Sequence, residues 1–183
     1  MTGKTQLTGV AASTSVKPSA ADAKADAAQV ASSFYQAFAR GDRTAMDAAY
    51  DPSVHFHDPL FGSLSGKHEV MEMWNTVIPA ANPKTSHIEP TVQPNPTVRP
   101  DGSVEVKVHW DAHYDLGPRH VDNHSDTTLV IKNGKIIDQR DDWDLSAWTK
   151  QALPLGIGGN TLTNALTAFA AHAFVEVKDV FDR

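Results

Sequence analysis

Three long segments in the second half of the chain alternate apolar and polar residues. They are Val104 to Tyr114, Val121 to Lys132 and Lys135 to Asp144. This period of two is typical of β-strands with one buried face. Asn133 and Gly134 separate the last two segments, and Asn-Gly favours the type I′ turn of a tight hairpin. These segments constrain the fold to a meander of antiparallel strands.

The chain before these segments is mostly helical. Ser19 is placed to cap a helix that runs to Arg40, with Gly41 as its stop, and a short helix is predicted over residues 44–50. A third helix has an apolar stripe and should end at Pro79. The stripe comprises Val70, Met73, Trp74, Val77 and Ile78. Helices followed by a strand meander predict an α+β fold with the helices on one face of a curved sheet.

The 183 residues are enough for one domain with a hydrophobic core. Residues 1–18 lack periodicity and are predicted to be a disordered tail. The domain is predicted over residues 19–153. Residues 154–183 should form a glycine-rich hinge and a final helix, which could dock on the pocket mouth or on a partner chain.

Composition narrows the possible functions. The formal net charge is −6 and no Lys/Arg run stands out, which argues against nucleic acid as a partner. The absence of cysteine excludes disulfides, thiolate metal sites and cysteine nucleophiles. We find no apolar run long enough to cross a membrane and no signal-peptide pattern, so we expect a cytoplasmic protein.

Asp58 is the first candidate site residue. It follows Val54 and Phe56 on the same face of a predicted strand. Since that face is apolar and should be buried, the pattern places the Asp58 carboxylate in the interior. A buried carboxylate is either satisfied structurally or used as an acid or base. The structural alternative is that Asp58 caps the turn before Gly62.

Three stretches of the sequence carry a family resemblance: Tyr35 to Asp42, Val54 to Trp74 and Asn133 to Trp148. They resemble the nuclear transport factor 2-like superfamily, in its SnoaL-like polyketide cyclase, ketosteroid isomerase and limonene epoxide hydrolase branches. The resemblance covers roughly residues 25–150, a typical domain length. It implies a cone-shaped, cystatin-like curved sheet wrapped by helices around a deep pocket. It is specific for the fold and weak for the reaction.

The isomerase branch implies that Asp58 is a general base that moves a proton next to a carbonyl. Its spacing from Gly41 and Asp42 matches that branch. The oxyanion-binding tyrosine of the branch falls on Phe34, with Tyr35 beside it. The second oxyanion donor falls on Asn123, whose amide can still donate a hydrogen bond.

The epoxide hydrolase branch places its catalytic acid on Asp141. The other positions of that constellation fall on His109, Asp111, Phe56 and Asp58. Asp111 keeps the residue type, but an Arg, a Tyr and an Asn are replaced, so hydrolysis by that same mechanism is not expected. The structural alternative for Asp141 is a buried salt bridge to a neighbouring Arg or His.

The strand at 104–114 allows two orientations. Composition alone puts Val106, Val108 and Trp110 inside, whereas the resemblance puts His109 and Asp111 inside. We follow the resemblance and predict a homodimer through the outer face of the sheet, at Val106, Val108 and Trp110. In the alternative, His109 and Asp111 are merely solvated.

The resulting hypothesis is a cofactor-independent enzyme that moves protons on a small hydrophobic carbonyl or polycyclic compound. The candidate catalytic residues are Asp58, Asp141, Asp111 and His109. The candidate substrate-binding residues are Tyr35, Phe38, Phe56, Trp74, Asn123, Ser125 and Trp143. Plain core packing is the alternative for Tyr35 and Trp143.

No cofactor and no metal are expected, because the pair His55 and His57 lies on the face opposite Asp58 and none of the three branches uses a metal. Two other functions stay open. One is a binding domain that holds a hydrophobic ligand without turnover. The other is an interaction module that docks through the final helix, for which truncation after Pro154 is the test.

Overall fold

The structure, a computed structural model, describes residues 19–81, 86–116 and 118–152. The helices within them are α1 (Ala20–Ala39), α2 (Arg43–Ala49), α3 (Lys67–Ala80) and α4 (Leu145–Ala152). The strands are β1 (Tyr50–Asp58), β2 (Gly62–Ser65), β3 (His87–Val92), β4 (Thr97–Val98), β5 (Val104–Leu116), β6 (Arg119–Lys132) and β7 (Lys135–Trp143). The predicted tail over residues 1–18 and the predicted hinge and final helix over residues 154–183 lie outside the described residues.

The strands form one curved, open sheet in the order β2-β1-β7-β6-β5-β3, with β4 paired to β5. Neighbouring strands are antiparallel except for β1 and β7, which run parallel. The α+β fold and the strand meander predicted from the sequence are confirmed. The proline-containing β3 lies at the sheet edge, where a missing backbone donor costs least.

The turn between β6 and β7 has the backbone expected of a type I′ hairpin. Asn133 has φ 52° and Gly134 has φ 74°, both in the left-handed region. A Cβ added to Gly134 would meet no atom within 4 Å, so only the backbone conformation disfavours a side chain there.

We therefore expect Gly134→Ala to lower the free energy of unfolding by about 1 kcal/mol, because alanine resists a positive φ. Urea denaturation followed by circular dichroism measures the change. The matched control is Gly134→Asn, since asparagine tolerates this conformation and should cost less. Equal losses in both variants would contradict the explanation.

Helix α1 begins and ends as its sequence predicts. The Ser19 hydroxyl and the Asp22 carboxylate form a reciprocal capping box at its N-terminus. Gly41 follows its C-terminus with φ 65°. Helix α3 was predicted to end at Pro79. It ends one residue later, at Ala80, with Pro79 in its last turn.

Strand β5 has the opposite orientation to the one we predicted. Val106, Val108 and Trp110 are buried inside the monomer, at 0%, 1% and 6% exposure, whereas His109 and Asp111 lie on the outer face. The predicted dimer surface at Val106, Val108 and Trp110 is therefore wrong. The physical reason is burial: the helices cover the apolar face of this strand and leave its polar face to solvent.

Helix α4 packs against the end of β6. The Gln151 side chain accepts a hydrogen bond from the Asp122 backbone N–H (2.8 Å) and donates one to the Asp122 carbonyl (3.0 Å). The Trp148 indole donates to the Tyr114 hydroxyl (2.7 Å). No helix in the described part of the chain has the length and apolar character needed to cross a membrane.

Candidate functional site

A cavity of about 180 Å³ lies between the inner face of the sheet, the C-terminal end of α1, helix α3 and helix α4. Its wall is largely aromatic and aliphatic, with few polar side chains. The aromatic residues of the wall are Phe38, Phe61, Trp74, Trp110, Tyr114, Trp143 and Trp148. Asp58, Asp141 and Asn123 contribute polar groups, and Arg40 and Ser86 also line the cavity.

Asp58 ends β1, and both oxygens of its carboxylate accept hydrogen bonds. Oδ1 accepts hydrogen bonds from the backbone N–H groups of Leu60 (2.7 Å) and Phe61 (2.9 Å). Oδ2 accepts one from the indole N–H of Trp143 (2.9 Å). Three donors match an ionised carboxylate, which only accepts hydrogen bonds. Asp58 therefore both caps the turn before Gly62 and faces the cavity.

Asp141 lies on β7 and is held through one oxygen. Oδ1 accepts hydrogen bonds from the Thr127 hydroxyl (2.8 Å) and from the Gln139 side-chain amide (3.0 Å). Among the residues that the structure describes, none donates to Oδ2. Since Asp141 lines the cavity, Oδ2 is the oxygen available to a molecule inside it. The predicted alternative, a salt bridge to Arg or His, is absent within the described ranges.

A buried hydrogen-bond network orients Thr127 and Gln139, the two side chains that donate to Asp141. Trp110 donates its indole N–H to the Thr127 hydroxyl (2.9 Å), which leaves the Thr127 proton directed at Asp141. The Tyr50 hydroxyl donates to the Gln139 carbonyl oxygen (2.7 Å), which orients the amide nitrogen toward Asp141. These chains pre-organise the carboxyl group before any ligand arrives.

Burial, with a smaller contribution from the nearby Asp58 charge, raises the pKa of Asp141 from its ordinary value of 3.8 to about 7. The hydrogen bonds from Gln139 and Thr127 oppose this shift by stabilising the anion. A group with this pKa is present in both protonation states near neutral pH. It can therefore give or take a proton without a large energetic cost.

Tyr35 is buried, but it does not line the cavity. Burial raises the pKa of Tyr35 well above its ordinary value, so its hydroxyl stays protonated. The hydroxyl makes no hydrogen bond within the described part of the chain. Tyr35, predicted from the sequence as a pocket-lining residue, therefore lies behind the cavity wall.

The predicted site residues divide into three groups by position. Those that line the cavity are Asp58, Asp141, Phe38, Trp74, Asn123 and Trp143. Those that are buried behind its wall are Tyr35, Phe56 and Ser125. Those on the outer face of the sheet are His109 and Asp111, so the expectation that they face the pocket is wrong.

Four aromatic residues of the cavity wall were not predicted from the sequence: Phe61, Trp110, Tyr114 and Trp148. Trp110 and Tyr114 share the apolar face of β5, so the composition of that strand carried the signal. Trp148 had no comparable signal, because its position depends on how α4 docks. Its indole and the Tyr114 hydroxyl close one side of the cavity together.

The histidines in the described part of the chain form no metal site. Within residues 19–81, 86–116 and 118–152, no three His, Asp or Glu side chains are arranged to hold a metal ion. The His57 ring contacts the Ser63 hydroxyl at 3.1 Å.

The fold and the cavity define a class of protein: an open, curved α+β domain with two carboxyl groups in a small aromatic pocket. The chain belongs to the SnoaL-like domain family, whose family model matches residues 31–139. This confirms the family resemblance seen in the sequence, with its nuclear transport factor 2-like fold. A comparison with curated proteins gives no match.

Solved structures with the same fold are distant in sequence. Bal32a, from a soil-derived mobile gene cassette, is 20% identical with a TM-score of 0.58, over 72% of this chain and 99% of its own. An LEH-like epoxide hydrolase of M. tuberculosis is 16% identical (TM-score 0.50; 69% and 89% covered). A ketosteroid isomerase-like protein of Erwinia carotovora atroseptica is 13% identical (TM-score 0.56; 66% and 95% covered). These similarities establish the fold, and the reaction must be argued from the site.

Proposed function

We propose that the protein catalyses cofactor-independent proton transfer on a small, hydrophobic, oxygen-containing compound, with Asp141 as the catalytic acid/base. The observation that carries this proposal is the Asp141 carboxyl group, which is buried at a cavity wall with one oxygen fixed and the other available. Isomerase, cyclase and hydrolase reactions all need such a group.

Asp58 has a different role in this proposal. Its Oδ1 accepts two backbone N–H groups and its Oδ2 accepts the Trp143 indole N–H, so three hydrogen bonds hold this carboxylate in place. Its charge adds a small contribution to the raised pKa of Asp141, so in this proposal Asp58 supports Asp141 and Asp141 exchanges the proton. Asn123, at the same wall, is the candidate hydrogen-bond donor to the ligand's oxygen.

The cavity volume limits the size of the ligand. A cavity of about 150 Å³ lined by apolar side chains holds one benzene ring, and this cavity measures about 180 Å³. We therefore propose a monocyclic or similarly small ligand. This narrows the expectation drawn from the sequence, which included polycyclic compounds.

Cyclohexanone and 3-cyclohexenone are suitable probes, because both have acidic C–H bonds next to a carbonyl and fit the volume. We expect deuterium to enter these positions from D₂O in the presence of the protein, as followed by NMR. Asp141→Asn should reduce this exchange by at least about a hundredfold, the usual contribution of a general base. The exchange rate should change with pH around 7.

The matched control is Asp142→Asn, which makes the same change one residue away on the exposed face of β7. It should leave the exchange rate unchanged. Full exchange activity in Asp141→Asn would contradict the assignment of the base. Saturable binding of the probe with no exchange would instead favour the second candidate function.

That second candidate is a binding domain without catalysis. The observation that favours it is the engagement of Asp58, which leaves Asp141 as the one carboxyl group at the cavity wall, among the residues described, with an available oxygen. The aromatic wall would then supply most of the affinity. A homodimer and a cytoplasmic location stay predictions in either case.

A further inference from the structure

All four tryptophans of the chain line the same cavity. They come from four different elements: Trp74 from α3, Trp110 from β5, Trp143 from β7 and Trp148 from α4. Since the fold brings them together from distant parts of the sequence, a bound molecule is surrounded mainly by aromatic rings.

The indole N–H groups of these tryptophans are all used within the protein. Each donates a hydrogen bond of 2.7 to 3.0 Å to a side-chain oxygen; the acceptors of Trp74, Trp110, Trp143 and Trp148 are, in that order, Tyr50, Thr127, Asp58 and Tyr114. A ligand therefore meets the rings of the tryptophans rather than their N–H groups. The face of an aromatic ring carries partial negative charge and attracts a cation.

Asp58 adds a full negative charge to this aromatic wall. It is 7% exposed, and its three hydrogen bonds come from uncharged N–H groups. Among the residues described, no Lys, Arg or His forms a salt bridge with Asp58 or Asp141. A buried charge without a counter-charge is costly, and a cationic ligand would supply the counter-charge.

Arg40 does not supply this counter-charge. It is the only basic residue of the cavity wall within the described ranges. It is exposed at the C-terminal end of α1, where water and salt screen its charge. The Asp58 charge is buried, and charge interactions are stronger there. The interior of the cavity therefore favours a cation.

The hydrogen bonds of Asp58 also indicate the type of cation. Both of its oxygens already accept N–H groups of the protein. A primary ammonium group has three N–H donors that need acceptors, whereas a fully alkylated ammonium group has none. Aromatic side chains are the usual partners of such alkylated groups.

The rings beside Asp58 are arranged at a steep angle to each other. Trp143 donates to Asp58, and the ring centroids of Trp143 and Trp148 are 6.0 Å apart with an interplanar angle of 62°. Trp148 in turn donates to Tyr114. One carboxylate and several inclined rings can surround an alkylated ammonium group on more than one side.

We infer that the cavity binds a small organic cation whose alkylated ammonium group lies against Asp58 and the rings of Trp143 and Trp148. For the reaction proposed above, the substrate is then an alkylated amino ketone, a step that rests on the proposed function. The binding of the cation itself requires no reaction.

Choline and 3,3-dimethylbutan-1-ol are the probes, because they differ only in the replacement of the quaternary nitrogen by carbon. Isothermal titration calorimetry of the full chain at pH 8, where Asp141 is also mostly ionised, measures both affinities. We expect choline to bind at least about tenfold more tightly than the alcohol. Equal or tighter binding of the alcohol, or no detectable binding of choline, would overturn the inference.

Asp58→Asn removes the charge of the side chain and keeps its size. We expect choline to bind at least about tenfold more weakly to this variant, whereas the affinity for the alcohol should change less than about twofold. The alcohol thus reports whether the cavity is intact. Asp142→Asn is the matched control, because it removes a negative charge from an exposed position, and it should leave both affinities unchanged. Full choline affinity in Asp58→Asn would contradict the inference.

Trp148→Leu gives a second test that does not alter Asp58. The leucine keeps an apolar side chain but removes a ring, so choline should lose at least about fivefold more affinity than the alcohol. Trp148→Phe restores a ring and should recover most of the preference for choline. Equal losses of both ligands in Trp148→Leu would show apolar contact alone and would count against a cation site.

These probes separate the cation site from the proposed reaction, since neither has a C–H bond next to a carbonyl. Exchange in cyclohexanone without selective choline binding would overturn the inference and leave the proposed function standing. Selective choline binding without exchange would support the inference and count against the proposed reaction.

Discussion

Asp141→Asn will make the protein more stable at pH 8 and leave its stability nearly unchanged below about pH 4. The folded state holds the Asp141 proton with a pKa of about 7, against 3.8 for the ordinary group. The stabilising contribution of the proton is fully present below the unfolded pKa and is lost as pH rises to the folded pKa. About three pH units at about 1.4 kcal/mol each set an upper bound of roughly 4 kcal/mol.

Asparagine stays neutral at pH 8, so it removes the free-energy cost of ionising a buried side chain. Its carbonyl oxygen can still accept hydrogen bonds from Thr127 and Gln139. Urea denaturation at pH 8 and at pH 5, followed by tryptophan fluorescence, measures the difference. We expect a gain of roughly 2–4 kcal/mol at pH 8 and a smaller gain of roughly 1–2 kcal/mol at pH 5. Asp142→Asn is the control, with no pH-dependent gain. The same change at both pH values would mean that Asp141 is ionised throughout.

Val108→Asp will unfold most of the protein or abolish its folding. Val108 is 1% exposed, so the new carboxylate would be buried beside Thr127, its neighbour on β6. An unpaired buried charge costs about 3–5 kcal/mol, which is a large part of the stability of a typical domain. Soluble yield, circular dichroism and the urea midpoint measure the loss.

Lys107→Asp is the matched control, because it places the same side chain one residue earlier, on the exposed face of β5. Its cost should be about 1 kcal/mol or less. The pair of variants decides the orientation of this strand. If the strand faced the other way, Lys107→Asp would be the destructive variant and Val108→Asp would be tolerated.

The parts of the fold set by local interactions could be predicted from the sequence. Ser19 and Asp22 cap α1, and Asn133 with Gly134 forms the hairpin turn, because each depends on residues within a few positions. Alternation also placed Asp58 and Asp141 inward correctly, since each shares a face with buried neighbours. These features need no knowledge of the rest of the molecule.

The orientation of β5 could not be transferred from distant relatives. A shift of one residue in a strand exchanges its two faces, and similarity at this level leaves such a shift undetected. The strand's own composition gave the right answer: Val106, Val108 and Trp110 are apolar and lie inside. The free energy gained by burying these apolar side chains sets the orientation of the strand, whatever polar pattern another branch of the family has at these positions.

The residues of the cavity wall could not be predicted without the tertiary structure. Trp148 reaches the site because Gln151 ties α4 to β6, and nothing near Trp148 in the sequence specifies that partner. The pKa of Asp141 likewise depends on burial and on a charge from β1, a strand that is distant in sequence and lies beside β7 in the sheet. Sequence alone could identify the carboxylates but not divide their roles.

Gln151 also protects the sheet from uncontrolled strand addition. Strand β7 ends at Trp143, opposite Ser125, so the earlier residues of β6 would present unpaired backbone groups on that side. At Asp122 the glutamine amide takes both the N–H and the carbonyl, as a neighbouring strand would. An open strand edge is a template for amyloid-like aggregation. One side-chain amide thus closes this part of the β6 edge to an added strand.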